Sequence, residues 1–349
     1  MITKTIDDNS IAVMPEDSDD LFNLRRIISK GDRIVGDTSR VVKQDKEYAR
    51  PDRGDRANVR IALTVEKISL DDVLDRLRIS GIITESSNEA VPHGSHHSFI
   101  LKVNDRITIS KKWGPVAKKI LQSNNKQIGF VLIAVDTGDC GVARLKGTHL
   151  EFIPNIYSGS GGKRYKTNFN IEKFFEQIQT ALLSIIKETD SIIIFGPGET
   201  KRRFANFLQK SNASQKYSIQ IAEGIDSGGE DGIYTFTKSQ SMKEIISESK
   251  LAKVSSIIDE VMIQANKMGK RFTMGFDETS KANEFGAVES IVFSDNLIQT
   301  HDESKIIEFL NDAEGKGVKI YSVDSSTDIG LRVTGLGGII SLLRYSVES

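Results

Sequence analysis

RIVGDTSRVVKQDKEYARPDRGDRANVRIALTVEKI, residues 33–68, holds two apolar, β-branched runs separated by a charged break. The runs at 33–42 and 59–65 read as strands, because Ile, Val and Thr suit a pleated, half-buried surface. Between Gln44 and Ala57, Pro51, Gly54 and the lack of an apolar repeat argue against a helix or a central strand. Residues 38–60 carry seven bases, Arg40, Lys43, Lys46, Arg50, Arg53, Arg56 and Arg60, against four acids. A long, net-positive loop between two strands suits a phosphate backbone, whose oxygens accept from guanidinium forks and whose counterions are released on contact. A solvated hairpin tip with scattered charges is the plainer alternative.

Working outward, 349 residues are enough for two or three domains with cores of their own. No apolar run reaches the length of a membrane span, and the first residues lack the apolar stretch of a signal peptide. Cys140 is the only cysteine, which excludes disulfides within the chain and thiolate metal clusters, and fits a reducing cytoplasm. The net charge of −1 hides an asymmetry: +3 over 1–127, +2 over 128–255 and −6 over 256–349. A nucleic-acid surface therefore belongs in the first two thirds, and a protein partner suits the acidic last third.

Upstream of the opening stretch, a short strand at 10–14 ends at Pro15. A helix follows, capped by Asp17 or Ser18, with Leu21, Leu24, Ile27 and Ile28 on one face and Gly31 as its stop. Strands are expected at 33–42, 58–66, 79–85, 98–103 and 106–110, with a short helical stretch at 70–77 and a helix at 111–126 that includes Trp113. One helix among several short strands predicts a small barrel over 1–127. From 128 the pattern alternates: apolar strands, a Gly-rich basic loop (YSGSGGKRYK, 157–166), a helix at 171–187, a strand at 191–195 running into GPGETKRRF, a helix at 200–210, a strand at 218–222 and a Gly-rich loop at 224–232. Residues 255–349 alternate again. The expected architecture is α+β and multidomain: a barrel over 1–127, an α/β domain over 128–254 and an α/β/α domain over 255–349.

Several constellations could carry chemistry. HGSHH at 93–97, with Glu85 and Glu89 upstream, offers three imidazoles. Neighbours in a strand point to opposite faces, however, so turn histidines are the default over a metal site. GPGETKRRF at 196–204 puts a glycine turn and Lys201, Arg202 and Arg203 at a helix N-terminus, which can hold an anion but lacks the Walker spacing. Asp32, Asp37, Asp52 and Asp55 could support a divalent ion, although surface acids explain them as well. No Ser-His-Asp set, retaining carboxylate pair or dinucleotide fingerprint is present.

Taken together, PEDSDDLFNLRRIISKGDRIVGDTSR (15–40), VRIALTVEKI (59–68), HHSFIL (96–101), FGPGETKRRF (195–204), GAVESIVFSDNL (286–297) and GLGGIISLLRY (335–345) resemble archaeal Pelota, in order and across nearly the whole chain. The resemblance implies an Sm-like N-terminal barrel followed by two domains similar to the middle and C-terminal domains of class-one release factors. It also implies ribosome rescue and no-go mRNA decay: entry into a stalled A site with an elongation-factor-Tu-like GTPase, then subunit splitting with an ABC-type recycling ATPase. A monomer is expected. The bases of 38–60 would meet rRNA or mRNA. Lys163, Arg164, Pro197, Gly198, Lys201, Arg202 and Arg203 would face the GTPase or the ribosome. Two positions depart from the release-factor pattern. Gly161 and Gly162 are followed by Lys163 where peptide release requires glutamine, and Pro197-Gly198 is followed by Glu199 where the family carries an aromatic. The family also implies an alternative, a divalent-metal-dependent endoribonuclease acting through the first domain, for which the sequence provides no catalytic motif.

Overall fold

The computed structural model describes residues 1–42, 55–70, 76–123, 129–159, 170–211, 216–267 and 269–347. The chain forms two compact units, one of 1–126 with 295–322 and one of 127–294 with 323–349. None of the described helices is long and apolar enough to cross a membrane.

The first unit opens with β1 (Ile2–Thr5), β2 (Ser10–Met14) and α1 (Ser18–Ile27). Asp17 caps α1 by accepting from the Asp20 amide at 2.8 Å. β3 (Arg33–Val42), β4 (Asp55–Leu70), β5 (Leu77–Ser86), β6 (His96–Leu101), β7 (Ile107–Ser110) and α2 (Pro115–Ser123) follow. Among the described residues the strands form one sheet of order β1-β2-β7-β3-β4-β5-β6. Alternation, interrupted by irregularities in the β4–β5 pairing at Ala62/Leu63 and Val65/Lys67, sets its faces. Ile34 and Gly36 of β3, Val59, Ile61, Leu63 and Val65 of β4, Leu77, Ile79 and Ile83 of β5, and Phe99 and Leu101 of β6 are all buried. The sheet is rolled: β3 and β6 lie three places apart in the order, yet a Cβ on Gly36 would sit 3.2 Å from the Phe99 ring. Glycine at 36 leaves room for that ring in the barrel interior, as the small N-terminal barrel requires.

The expected strands are present, β1 is an addition, β6 is shifted two residues towards the N-terminus, and other borders moved. β4 extends to Leu70 and β5 begins at Leu77, so the ends expected to start and close a short helix belong to strands, while 71–75 lie outside the described residues. The helix expected at 111–126 begins only at Pro115, and Trp113 precedes it. Its indole Nε1 donates to the Asn9 carbonyl at 2.9 Å, tying the β7–α2 connection back to the turn before β2.

The second unit contains β8 (Phe130–Val135), β9 (Asp139–Lys146), β10 (His149–Tyr157), α3 (Ile171–Ile185), β11 (Ser191–Phe195), α4 (Thr200–Lys210), β12 (Ile219–Ile221), α5 (Gly229–Thr237), α6 (Gln240–Ile245), α7 (Lys250–Asn266), β13 (Phe272–Met274), α8 (Phe276–Glu284) and β14 (Val288–Ser294). Next come α9 (Asn296–Thr300), α10 (Glu303–Gly315) and β15 (Lys319–Val323), nearly all of which falls within the first unit. α11 (Asp328–Gly335) and β16 (Ile339–Leu343) return to the second. The central sheet runs β10-β9-β8-β11-β12, with β8, β11 and β12 parallel. β8 is buried along its whole length because helices cover both faces, which explains its unbroken apolar run. Phe174, Phe175, Ile178 and Leu182 of α3 and Phe204, Ala205 and Leu208 of α4 fill one face. On the other, Phe195 of β11 stacks on Phe236 of α5, ring centroids 4.4 Å apart.

α5 corrects the second half of the expected loop at 224–232, which becomes helical from Gly229 on. The glycine run conceals a helix because the helix docks too closely for side chains: a Cβ on Gly232 would lie 2.7 Å from Ala134, and one on Gly229, at φ +61°, 2.4 Å from the Asp139 carboxylate. A second small sheet pairs β16 with β13 and β14.

Candidate RNA and partner contacts

The register pairs Arg40 of β3 with Ala57 and Asp37 with Arg60 of β4. Arg40 follows Ile34 and Gly36 on the inner face, whereas Arg60 lies between buried Val59 and Ile61 and is exposed on the outer face. The two therefore do not form a single patch, contrary to their grouping in sequence. Arg60 faces solvent beside Asp37, and its amide donates to Ser87 Oγ at 2.9 Å. Lys43, Lys46, Arg50 and Arg53 lie outside the described residues. Arg56 is placed as backbone opposite Val41.

A residue weighed in the sequence only as a metal ligand or turn histidine joins Arg40. His97 of β6 lies on the inner face with Phe99 and packs edge-on against its ring at 5.1 Å. His96 points outward, its Nδ1 3.1 Å from Glu66 Oε2, and His93 sits exposed in the preceding turn. The three imidazoles of HGSHH thus do not converge. Among the described residues no group of three His, Cys, Asp or Glu is placed to hold a metal ion. Asp32 is taken up by Lys111 Nζ at 2.7 Å, Asp52 lies outside the described residues, and Asp55 is placed only as backbone. The alternation signal that separates His96 from His97 was present in the sequence, since 97, 99 and 101 share a face.

Burial, and secondarily the Arg40 charge, hold the His97 imidazole below its ordinary value of 6.5. The unfolded chain therefore takes up this proton first. Stability from His97 is fully present above about pH 6.5, is lost as pH falls through that value, and levels off below the folded pKa. Thermal unfolding from pH 7.5 to 5 is expected to show this loss in the wild type and a shallower one in His97→Gln.

In the second unit, β11 runs into Gly196-Pro197-Gly198 and then α4. Gly196 has φ +135°, and a Cβ there would meet the Val135 carbonyl at 2.2 Å, so only glycine fits. Lys201 corrects an expectation: it is buried rather than facing a partner. Its Nζ donates to the Gly196 carbonyl at 2.9 Å and lies 3.0 Å from Glu223 Oε2, clasping the turn from beneath. Arg202 is exposed and bridges Glu199 (3.3 Å) and Glu223 (3.1 Å). The bond from Lys201, then that from Arg202, lowers the pKa of the Glu223 carboxyl. Arg203 is exposed with no ion pair among the described residues, Pro197 is half-buried and Gly198 exposed. Lys163 and Arg164 lie outside the described residues. The surface offered here is thus the 197–198 turn with Arg203 and a partly neutralised Arg202. Lys201→Ala removes two charge-assisted bonds and is expected to cost about 1–3 kcal/mol, read by denaturant unfolding.

A rolled N-terminal sheet and a release-factor-like remainder define a class, and family models agree: residues 1–125 match the Pelota N-terminal domain and 251–347 match eRF1 domain 3. A Pelota homologue from Nitrosopumilus maritimus is 75% identical over 350 residues, covering 100% of both chains. One from Cenarchaeum symbiosum is 50% identical over 99% of each. The fold is similar to the crystal structure of Thermoplasma acidophilum Pelota, with TM-score 0.64, 24% identity and coverage of 99% of this chain and 100% of that one. The chain belongs to the Pelota family.

Proposed function

We infer that this protein is a ribosome rescue factor. It enters the A site of a stalled ribosome with a translational GTPase of the elongation-factor-Tu type, and promotes subunit dissociation with an ABC-type recycling ATPase and no-go mRNA decay, without hydrolysing peptidyl-tRNA. The observation that carries this reading is the full-length identity of 75% to a Pelota homologue. Lys163 after Gly161-Gly162 supports the absence of peptide release, because an ammonium cannot accept and orient a hydrolytic water as the glutamine carbonyl would. The first unit, with the basic 38–60 segment, faces RNA. The turn at 197–198 with Arg202 and Arg203 meets the GTPase, and the acidic last third suits the recycling ATPase. The protein acts as a cytoplasmic monomer. No observation on the described residues favours the divalent-metal endoribonuclease reading.

The test is co-sedimentation with stalled ribosomes, with and without the GTP-bound factor. Binding strengthened by the GTP-bound factor, with peptidyl-tRNA left intact, is the expected result. Failure to bind, or release of peptide by the purified protein, would overturn the reading.

A further inference from the structure

The second unit holds a cleft of about 570 Å³ between the β9–β10 turn, the end of α5, α7 and the start of α11. That size falls within the range of small-ligand sites. On α7, Leu251, Ser255 and Asp259 recur at four-residue spacing, which puts all three on the one helix face that lines the cleft. Five aliphatic hydroxyls border the space, and three are taken up locally. Thr237 donates to the Tyr234 carbonyl at 2.9 Å, and Ser326 and Thr327 donate to the Asp324 carboxylate and carbonyl, each at 2.6 Å. The other two differ. Thr148 and Ser255 are each only 7% exposed, and among the described residues neither hydroxyl has a hydrogen-bond partner. Nearly buried hydroxyls left open on two elements of one cleft call for a polar occupant.

Charge and shape decide its chemistry. Lys238, Lys243 and Arg332 face two carboxylates, Asp259 and Asp328, with His149 counted as neutral, so the lining keeps one positive charge in excess. Asp328 is held by Lys238 at 3.3 Å. Asp259 is shared: Lys243 takes one oxygen, and Arg332 reaches the other through Nη2 at 3.4 Å, its remaining donors open among the described residues. A half-used guanidinium near an ammonium suits a phosphate monoester, whose oxygens match the fork. α11, capped by Thr327, starts at the same cleft and adds the partial positive charge of its first turn. The rest of the lining is apolar: Leu150, Leu251 and Ile329, with the exposed Tyr234 ring against Phe152, centroids 5.3 Å apart. An exposed ring beside an apolar wall gives a flat base a face to stack on. We propose that this cleft binds a free mononucleotide, its base against Tyr234, its phosphate at Arg332 and Lys243, and its polar edge on Thr148 and Ser255. A surplus of one charge matches one nucleotide rather than a stretch of polyanion.

The test is calorimetric titration of the full-length protein with the four ribonucleoside monophosphates, their nucleosides and inorganic phosphate. At least one monophosphate is expected to saturate with Kd below about 1 mM. Its nucleoside and inorganic phosphate should each bind at least roughly tenfold more weakly. Tyr234→Ala is expected to weaken that monophosphate about five- to a hundredfold, Arg332→Gln about tenfold and Ser255→Ala about two- to tenfold. Arg332→Lys, which keeps the charge and loses the fork, should fall between wild type and Arg332→Gln, an order that a folding defect does not produce. No saturation by any monophosphate at about 5 mM, or wild-type affinity in both Tyr234→Ala and Arg332→Gln, would overturn the site. Inorganic phosphate or a nucleoside binding as tightly as the best monophosphate would overturn its assignment to a nucleotide. Hexauridylate binding more tightly than uridine monophosphate through the same residues would overturn the free mononucleotide in favour of an RNA end. No ribosome enters the titration, so its outcome is separate from that of the rescue reading.

Discussion

Arg144→Ala is expected to lower the stability of the second unit by about 3–5 kcal/mol, because it strands a carboxylate inside the protein. Arg144 of β9 donates through Nε to Asp190 Oδ2 at 2.6 Å and through Nη2 to Oδ1 at 3.1 Å, and the Asp190 side chain is fully buried. The Lys187 amide adds a third bond to that carboxylate at 2.9 Å. Gly129 is shaped to the pair, since a Cβ there would approach Asp190 Oδ1 to 2.2 Å. A unit of this size should show the loss as a fall in melting temperature on the order of 10 °C. Replacing both partners together, Arg144→Met with Asp190→Leu, should recover much of it, because an apolar pair leaves no uncompensated charge. A single mutant within 1 kcal/mol of wild type would show that the pair contributes little.

The second large effect concerns function. Arg50→Ala, Arg53→Ala and Arg56→Ala combined are expected to weaken binding to stalled ribosomes roughly 10- to 100-fold near physiological salt, and to reduce the slope of log K against log salt by about two to three. The reasoning is electrostatic. Each neutralised phosphate releases condensed counterions, and removing three cations removes three such releases. An affinity and salt slope unchanged from wild type would detach the 38–60 segment from the ribosome.

How far these features could be read in the sequence depended on whether their cause was local. β3 was legible to the residue, at 33–42, because alternating β-branched positions carry the signal themselves. The helix cap was narrowed to Asp17 or Ser18, and the structure selects Asp17. Lys201 was not legible, because a lysine after a glycine turn looks exposed until the chain returns with Glu223 to cover it. The helix that starts within the 224–232 glycines was hidden because Gly229 and Gly232 answer to Asp139 and Ala134, far away in sequence. His97 fell between the two cases. Its orientation follows from strand alternation, but its company does not, because Arg40 reaches it only through the roll of the sheet.

The inclusion of 295–322 in the first unit has a consequence for synthesis order. Arg25 and Arg26 of α1 are held by Glu303 and Glu314 of α10, and Arg26 Nε also donates to Asn311 at 3.0 Å. Those partners are translated 278 to 288 residues later. At about 5–20 residues per second the nascent N-terminal sheet waits roughly 15–60 s with both arginines bare. During that interval it is a sticky cation emerging beside ribosomal RNA, and only the completed chain masks it. A fragment ending near residue 126 would remain in that unmasked condition permanently. Any affinity for RNA measured on such a fragment would therefore include two guanidinium groups that the finished protein keeps for itself.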